Sequence, residues 1–135
     1  MVGILIVSHS EEAARGIARI ASAMSQAGDA VPIVGIGGDD AGGLGISFAK
    51  ILDAMREMLL HSDALLILPD IGSSVLASRS AISMLSPAEA ARVKIADAPV
   101  LEGAVVAAVE AGGGADLEEV ARAAGSAYGM NKGEQ

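Results

Sequence analysis

The sequence predicts an α/β fold: a mostly parallel, flavodoxin-like open sheet with helices on both faces. Three observations lead there. Short aliphatic runs recur at residues 2–7, 31–36, 65–68 and 93–96, and stretches with helical periodicity separate them. The first run holds four consecutive aliphatics, Ile4 to Val7, with no polar alternation, as expected of a strand covered on both faces. The third observation is the composition: 52% of the 135 residues are hydrophobic but only 1% aromatic, namely Phe48 and Tyr128. A core of Ala, Val, Ile, Leu and Met suits helices lying close on a sheet. Alternating strands and helices of this length imply βαβ units.

Each element has its local reason. After the first strand, Ser10 can cap a helix whose first turn holds Glu11 and Glu12, running near 11–27. The second strand, 31–36, feeds the loop "GGDDAGGLGIS" and a helix near 47–61. The third strand leads to a helix near 74–85. "SPAE" at 86–89 has the Ser cap, first-turn Pro and third-position Glu of a short helix start, before the brief fourth strand. Residues 101–111 read as a helix, or partly as a strand, ending at Gly112-Gly113-Gly114. Asp116 with Glu119 opens a last helix to about Ala124. Residues 1–127 thus read as one domain, and 128–135 as a flexible C-terminal tail. Met24, Met55, Met58 and Met84 sit at helical spacings and read as core fillers.

Charge and composition exclude several functions. The formal net charge is −8, from seventeen acids against nine bases, which repels nucleic acid and anionic lipid and favours a partner with a basic face. No apolar run approaches the roughly 18–20 residues that cross a bilayer, and the opening run is too short and lacks the basic flank of a signal peptide. The chain has no cysteine, hence no disulfide framework and no thiolate metal site, which fits a cytoplasmic location.

If strand 1 lies between strands 2 and 3, the loops that follow all three meet at one crest, where open α/β sheets gather ligands. "SHS" at 8–10 and "PDIGSS" at 69–74 then bring together His9, Asp70, the hydroxyls of Ser8, Ser10, Ser73 and Ser74, and Gly72. Helix-start amides and glycine are the parts of an anion site, and a histidine there can be a base, a nucleophile or a ligand. Taken singly, each part has a plainer reading. His9 could be a solvated residue at a strand end, "GGDDAGGLG" a flexible turn, and Asp70 a helix-start acid. The glycine loop is neither a P-loop nor a dinucleotide fingerprint, lacking the Lys-Ser/Thr and the tight turn. The other histidine, His61, reads as a cation near a helix C-terminus. One well-placed histidine with scattered acids does not supply a metal ligand set, so neither metal nor cofactor is expected.

Together, "GILIVSHS", "GGLGIS", "PDIGSSVLASRSAISML" and "APVLEGAVVAAVEA" resemble the phosphotransfer subunits, DhaM, of phosphoenolpyruvate-dependent dihydroxyacetone kinases. Their fold is that of the mannose-family enzyme IIA domains of the phosphotransferase system, and the resemblance runs from residue 2 to about 125. It implies a phosphotransferase whose phosphohistidine is His9, supported by Asp70, with Gly72-Ser73 on the phosphate side. It also implies the carrier HPr as donor, ADP held in the nucleotide subunit DhaL as acceptor, and the dihydroxyacetone-binding subunit DhaK downstream. Longer relatives carry fused carrier and enzyme-I-like domains, so here those would be separate proteins. Two positions depart from the family pattern: Ile46, where a hydroxyl residue is common, and Arg79, where an acid is common. A mannose-type IIA domain serving a sugar transporter differs only in acceptor, and commonly carries a Trp that this chain lacks. A non-catalytic anion- or nucleotide-binding module is the third reading. A homodimer is expected from the small, apolar segment 98–114 and from the resemblance.

Overall fold

The computed structural model describes residues 1–134. Its sheet has four strands, all parallel, in the order β2-β1-β3-β4: β1 Val2–Ser8, β2 Ile33–Gly37, β3 Ala64–Pro69 and β4 Val93–Ile95. The expected position of strand 1 between strands 2 and 3 is what the structure shows. Every residue of β1 is buried, because this strand has a neighbour on either side and helices on both faces. The edge strand β2 is only partly covered.

The helices divide into two layers. On one face α1 (Glu11–Ser25), α5 (Val100–Gly112) and α6 (Leu117–Ser126) bury Ile4, Ile6, Leu66 and Leu68 under a layer of alanines. On the other, α2 (Phe48–Leu59) and α3 (Ser73–Ile82) close over Leu5, Val7, Leu65 and Ile67. The short α4 (Pro87–Ala90) carries the full capping box expected at Ser86 and Glu89. Alternate residues of β1 and β3 feed opposite cores, which is why both strands lack a polar face.

Several boundaries move for local reasons. α1 stops at Ser25, since Gln26 adopts a left-handed conformation. β2 starts only after Pro32, which has no N–H to give to a ladder. α3 begins at Ser73 and ends at Ile82. Segment 101–111 is helix throughout, with Ala104, Ala107, Ala108 and Ala111 forming its buried face. Two of the four methionines expected in the core are not there. Met55 and Met58 are buried, whereas Met24 and Met84 are 55% and 57% exposed. α1 turns Ala14, Ala18, Ala21 and Ser25 inward, which leaves Met24 outside, and Met84 lies beyond the end of α3. Past α6 the chain makes short 3-10 turns, the Tyr128 hydroxyl donates to Asp97 at 3.0 Å, and Lys132 pairs with Glu102 at 2.8 Å. Gln135 lies outside the described residues. No helix among the described residues is long and apolar enough to cross a membrane.

Candidate functional site

The register of β1 against β3 builds the site. Val7 pairs with Pro69, and the Asp70 N–H donates to the Val7 carbonyl at 2.9 Å. The next residue of each strand end, His9 on one side and Asp70 on the other, is thereby brought side by side. Nδ1 of His9 lies 3.0 Å from Asp70 Oδ1 and 3.2 Å from Oδ2. The carboxylate also accepts the backbone N–H of His9 (2.9 Å), the Ser8 hydroxyl (2.9 Å) and the backbone N–H of Ile71 (2.7 Å). The Asp70 side chain is 18% exposed and that of His9 30%.

These contacts set the charge. Partial burial works against ionisation of Asp70, but the N–H groups of His9 and Ile71 and the hydroxyl of Ser8 outweigh it, lowering its pKa from 3.8 to about 2. The Ser74 proton points to the Ile71 carbonyl, 2.8 Å away. An ionised carboxylate can only accept, so the proton shared with His9 sits on Nδ1, and in the neutral ring Nε2 carries the lone pair. The Ser73 hydroxyl lies 2.8 Å from that nitrogen.

The four serines of the two turns have different tasks. Ser8 is buried and anchors Asp70, while its oxygen accepts the Ser10 N–H at 3.1 Å. Ser10 caps α1, accepting the Ala13 N–H. Ser74 is fully buried and tied to Ile71, with Ser78 bonded behind it. Only Ser73 reaches the outward ring nitrogen. The start of α3 completes the group: Gly72, at φ 31° and ψ −93°, turns the chain into the helix with no side-chain cap. The amides of Gly72 and Ser73 donate to no acceptor among the described residues, unlike those of Ser74 and Val75. Uncapped amides at a helix start suit an anion.

The glycine loop after β2 is not a loose turn. Asp39 accepts the N–H groups of Ala41 and Gly43 through its side chain (3.0 and 2.7 Å), and its backbone bonds Gly42 and Gly43. Lys50 donates to the carbonyls of Gly37 (3.2 Å) and Asp39 (3.0 Å), and Ser47 donates to Asp40. The loop supports the histidine directly, since the Gly45 N–H donates to the His9 carbonyl at 2.9 Å. Gly37 allows this approach: a Cβ there would stand 2.4 Å from the Ser8 carbonyl oxygen. Sequence reasoning missed Gly45, Gly37 and Lys50 as supports; the Asp39-x-Ala41-x-Gly43 spacing, typical of a side-chain-closed turn, was the available signal. Ile46 packs against the core under α2, and Arg79 is exposed on α3 well past its first turn. Among the described residues no cluster of acids and histidines could hold a metal ion.

The crest is open and partly apolar. Ile71 is 67% exposed beside Asp70, Leu76 63% on α3, and Leu44 82% in the glycine loop. The surface hollows beside Val109 and Gly114, beside Asp63 and Leu117, beside Ser22 and Pro32, and beside Ile20 and Leu101 lie elsewhere, and neither His9 nor Asp70 lines them. His61 sits past the end of α2, exposed, with Nε2 3.3 Å from Glu57.

Comparison with known proteins identifies the family. Residues 3–121 match the EIIA-man family model, described as "PTS system fructose IIA component". The phosphoryl donor subunit DhaM of the PEP-dependent dihydroxyacetone kinase of Escherichia coli is 33% identical over 121 residues, 89% of this chain. The chain spans only 25% of the length of that relative. The corresponding DhaM of kinase 2 in Listeria innocua is 34% identical over 110 residues, 82% of this chain and 86% of the relative. Among solved structures, the protein of unknown function EF1359 superposes with a TM-score of 0.85 at 35% identity, covering 98% of this chain and 97% of its own. The chain belongs to the EIIA-man family of phosphotransferase-system IIA components, alongside the DhaM-type phosphoryl donor subunits of dihydroxyacetone kinases.

Proposed function

We propose that this chain is a phosphohistidine relay subunit of a phosphoenolpyruvate-dependent dihydroxyacetone kinase. His9 Nε2 takes the phosphoryl group from HPr and passes it to ADP held in a DhaL-type nucleotide subunit, with a DhaK-type subunit binding dihydroxyacetone downstream. The observation that carries the reading is the fixed tautomer. Asp70, held by three other donors, keeps the His9 proton on Nδ1 and leaves the Nε2 lone pair of the neutral ring outward on an open crest. In transfer, that lone pair forms the N–P bond as the donor's bond to phosphorus breaks, and the electron pair leaves with the donor. Asp70 steadies the positive charge that the ring gains. The free amides of Gly72 and Ser73 and the Ser73 hydroxyl are suited to hold the phosphoryl oxygens. An imidazole on an exposed surface bordered by Leu44, Ile71 and Leu76 suits delivery between proteins better than capture of a small substrate.

Incubation with labelled phosphoenolpyruvate, enzyme I and HPr is expected to place an acid-labile, base-stable phosphoryl group on His9, and His9→Ala to abolish it without unfolding. A wild-type protein that stays unlabelled beside an active carrier would point to an anion-binding module instead. The description of the matching family model favours a second reading, a sugar-type IIA component. Such a protein would take the label but fail to pass it to ADP on the nucleotide subunit.

The protein is also proposed to work in the cytoplasm, as a homodimer. α5 is apolar on nearly all sides, and its outward Leu101, together with Ile20 and Met24 of α1 and Met130, leaves an exposed apolar strip. Sedimentation at micromolar concentration should give twice the 13.4 kDa chain mass; monomer alone would discard the dimer.

A further inference from the structure

The Ser73 hydroxyl occupies the one lone pair that the relay needs free. Asp70 can only accept, so Nδ1 holds the ring proton. In the neutral ring that the relay uses, Nε2 can then only accept, and the Ser73 hydroxyl, 2.8 Å away, is the donor. A hydrogen-bonded lone pair cannot attack phosphorus until the donor swings aside. Ser73 has room to do so: it is exposed, and it is the first residue of α3, where the preceding turn places no side chain over it.

We infer that Ser73 is a two-position gate on His9, donating to Nε2 in the resting protein and to a phosphoryl oxygen in the loaded one. This rests on the relay reading of His9. When the N–P bond forms, the nitrogen loses its acceptor capacity and a charged oxygen appears just beyond it. The hydroxyl then exchanges one acceptor for another a bond or two further out. No proton is transferred: Ser73 keeps its own, and Asp70 keeps the ring proton on Nδ1. The gate shields the resting imidazole from unwanted reaction and steadies the phosphoryl group once it is loaded. Since a contact is made in both states, its removal should speed both formation and decay of the phosphohistidine, decay the more because the loaded contact is to a charged oxygen.

The test uses the whole chain and phosphoramidate, a small donor that needs no protein docking. Its P–N bond breaks as Nε2 bonds to phosphorus, and ammonia leaves with a proton from water. Three proteins are compared, wild type, Ser73→Ala and Ser73→Thr, by ³¹P spectra of the loading and decay of phosphohistidine and by ¹⁵N spectra of the His9 ring. Ser73→Ala should load about 3–10-fold faster, the worth of one neutral hydrogen bond, and decay faster by a larger factor, the bond lost there being to a charged oxygen. Its Nε2 resonance should move to that of an unpaired ring nitrogen, with Nδ1 unchanged, and Ser73→Thr should restore the wild-type values. Slower loading in Ser73→Ala, or an Nε2 resonance that does not move, overturns the gate. Wild-type protein that takes no phosphoryl group from phosphoramidate, yet shows the bonded Nε2 resonance, overturns the relay itself and the loaded half of the gate with it.

Discussion

The two histidines of this chain each lie beside a carboxylate, yet their surroundings could hardly differ more. His61 meets Glu57 one helical turn back, 3.3 Å away, with both side chains about two-thirds exposed. No other donor among the described residues holds that glutamate's oxygens, and water competes for every one of them. His9 meets Asp70 across two strands, and the carboxylate has three other donors bound before the imidazole arrives. The lesson is that a histidine–carboxylate distance says little by itself. What fixes a tautomer is how firmly the carboxylate is itself held, and how little solvent can replace the contact.

The comparison can be broken first at Asp70. An amide cannot accept at both ends, so Asp70→Asn turns an N–H₂ toward donors now bound to oxygen. The variant should fold but lose about 1–3 kcal/mol for the donors left unpaired. Phosphoryl loading of His9 should slow on the order of 10²–10⁴-fold, the range for losing an orienting partner. Single-turnover loading from the carrier, together with urea unfolding, measures both. Loading at the wild-type rate would mean that the carboxylate does not orient the ring.

Acid gives a sharper difference. The carboxyl of Asp70 titrates at about 2 in the folded protein against 3.8 ordinarily. A depressed carboxylate contributes stability that is fully present above about pH 4 and is lost as pH falls through 2. Wild type should therefore lose stability over that window by an amount that Asp70→Asn does not, as unfolding followed between pH 4 and 2 would reveal. Parallel acid profiles for the two proteins would count against the strongly held carboxylate.

The smallest effect belongs to the other histidine. His61→Ala should leave loading within experimental error of wild type and change stability by no more than about 0.5 kcal/mol, as for most surface substitutions. Loss of transfer in a folded His61→Ala protein would reverse the roles of the two residues.

What the sequence determined by itself was local or periodic. The unbroken aliphatics of β1 and β3 specify central parallel strands, because such runs are stable only when covered on both faces. Ser10, Ser47, Ser86 and Asp116 cap their helices through bonds spanning three residues, well within reach of a short pattern. His9 and Asp70 could be named as candidates because strand ends in such sheets meet at one crest. Tertiary structure alone decided what each polar group then does. Residues 9 and 70 meet through the Val7–Pro69 register, which is a property of two strands and not of either. Ser8, Ser10, Ser73 and Ser74 are the same letter, and only their rotation about the two turns gives one to the carboxylate, one to a helix cap, one to the imidazole and one to the interior. The glycine loop reads as flexible because glycine is permissive; Asp39, Lys50 and the His9 carbonyl hold it in place through contacts that exist only once the sheet has formed. Hydrogen bonds depend on direction and distance within a few tenths of an ångström, and that precision comes from packing the whole chain.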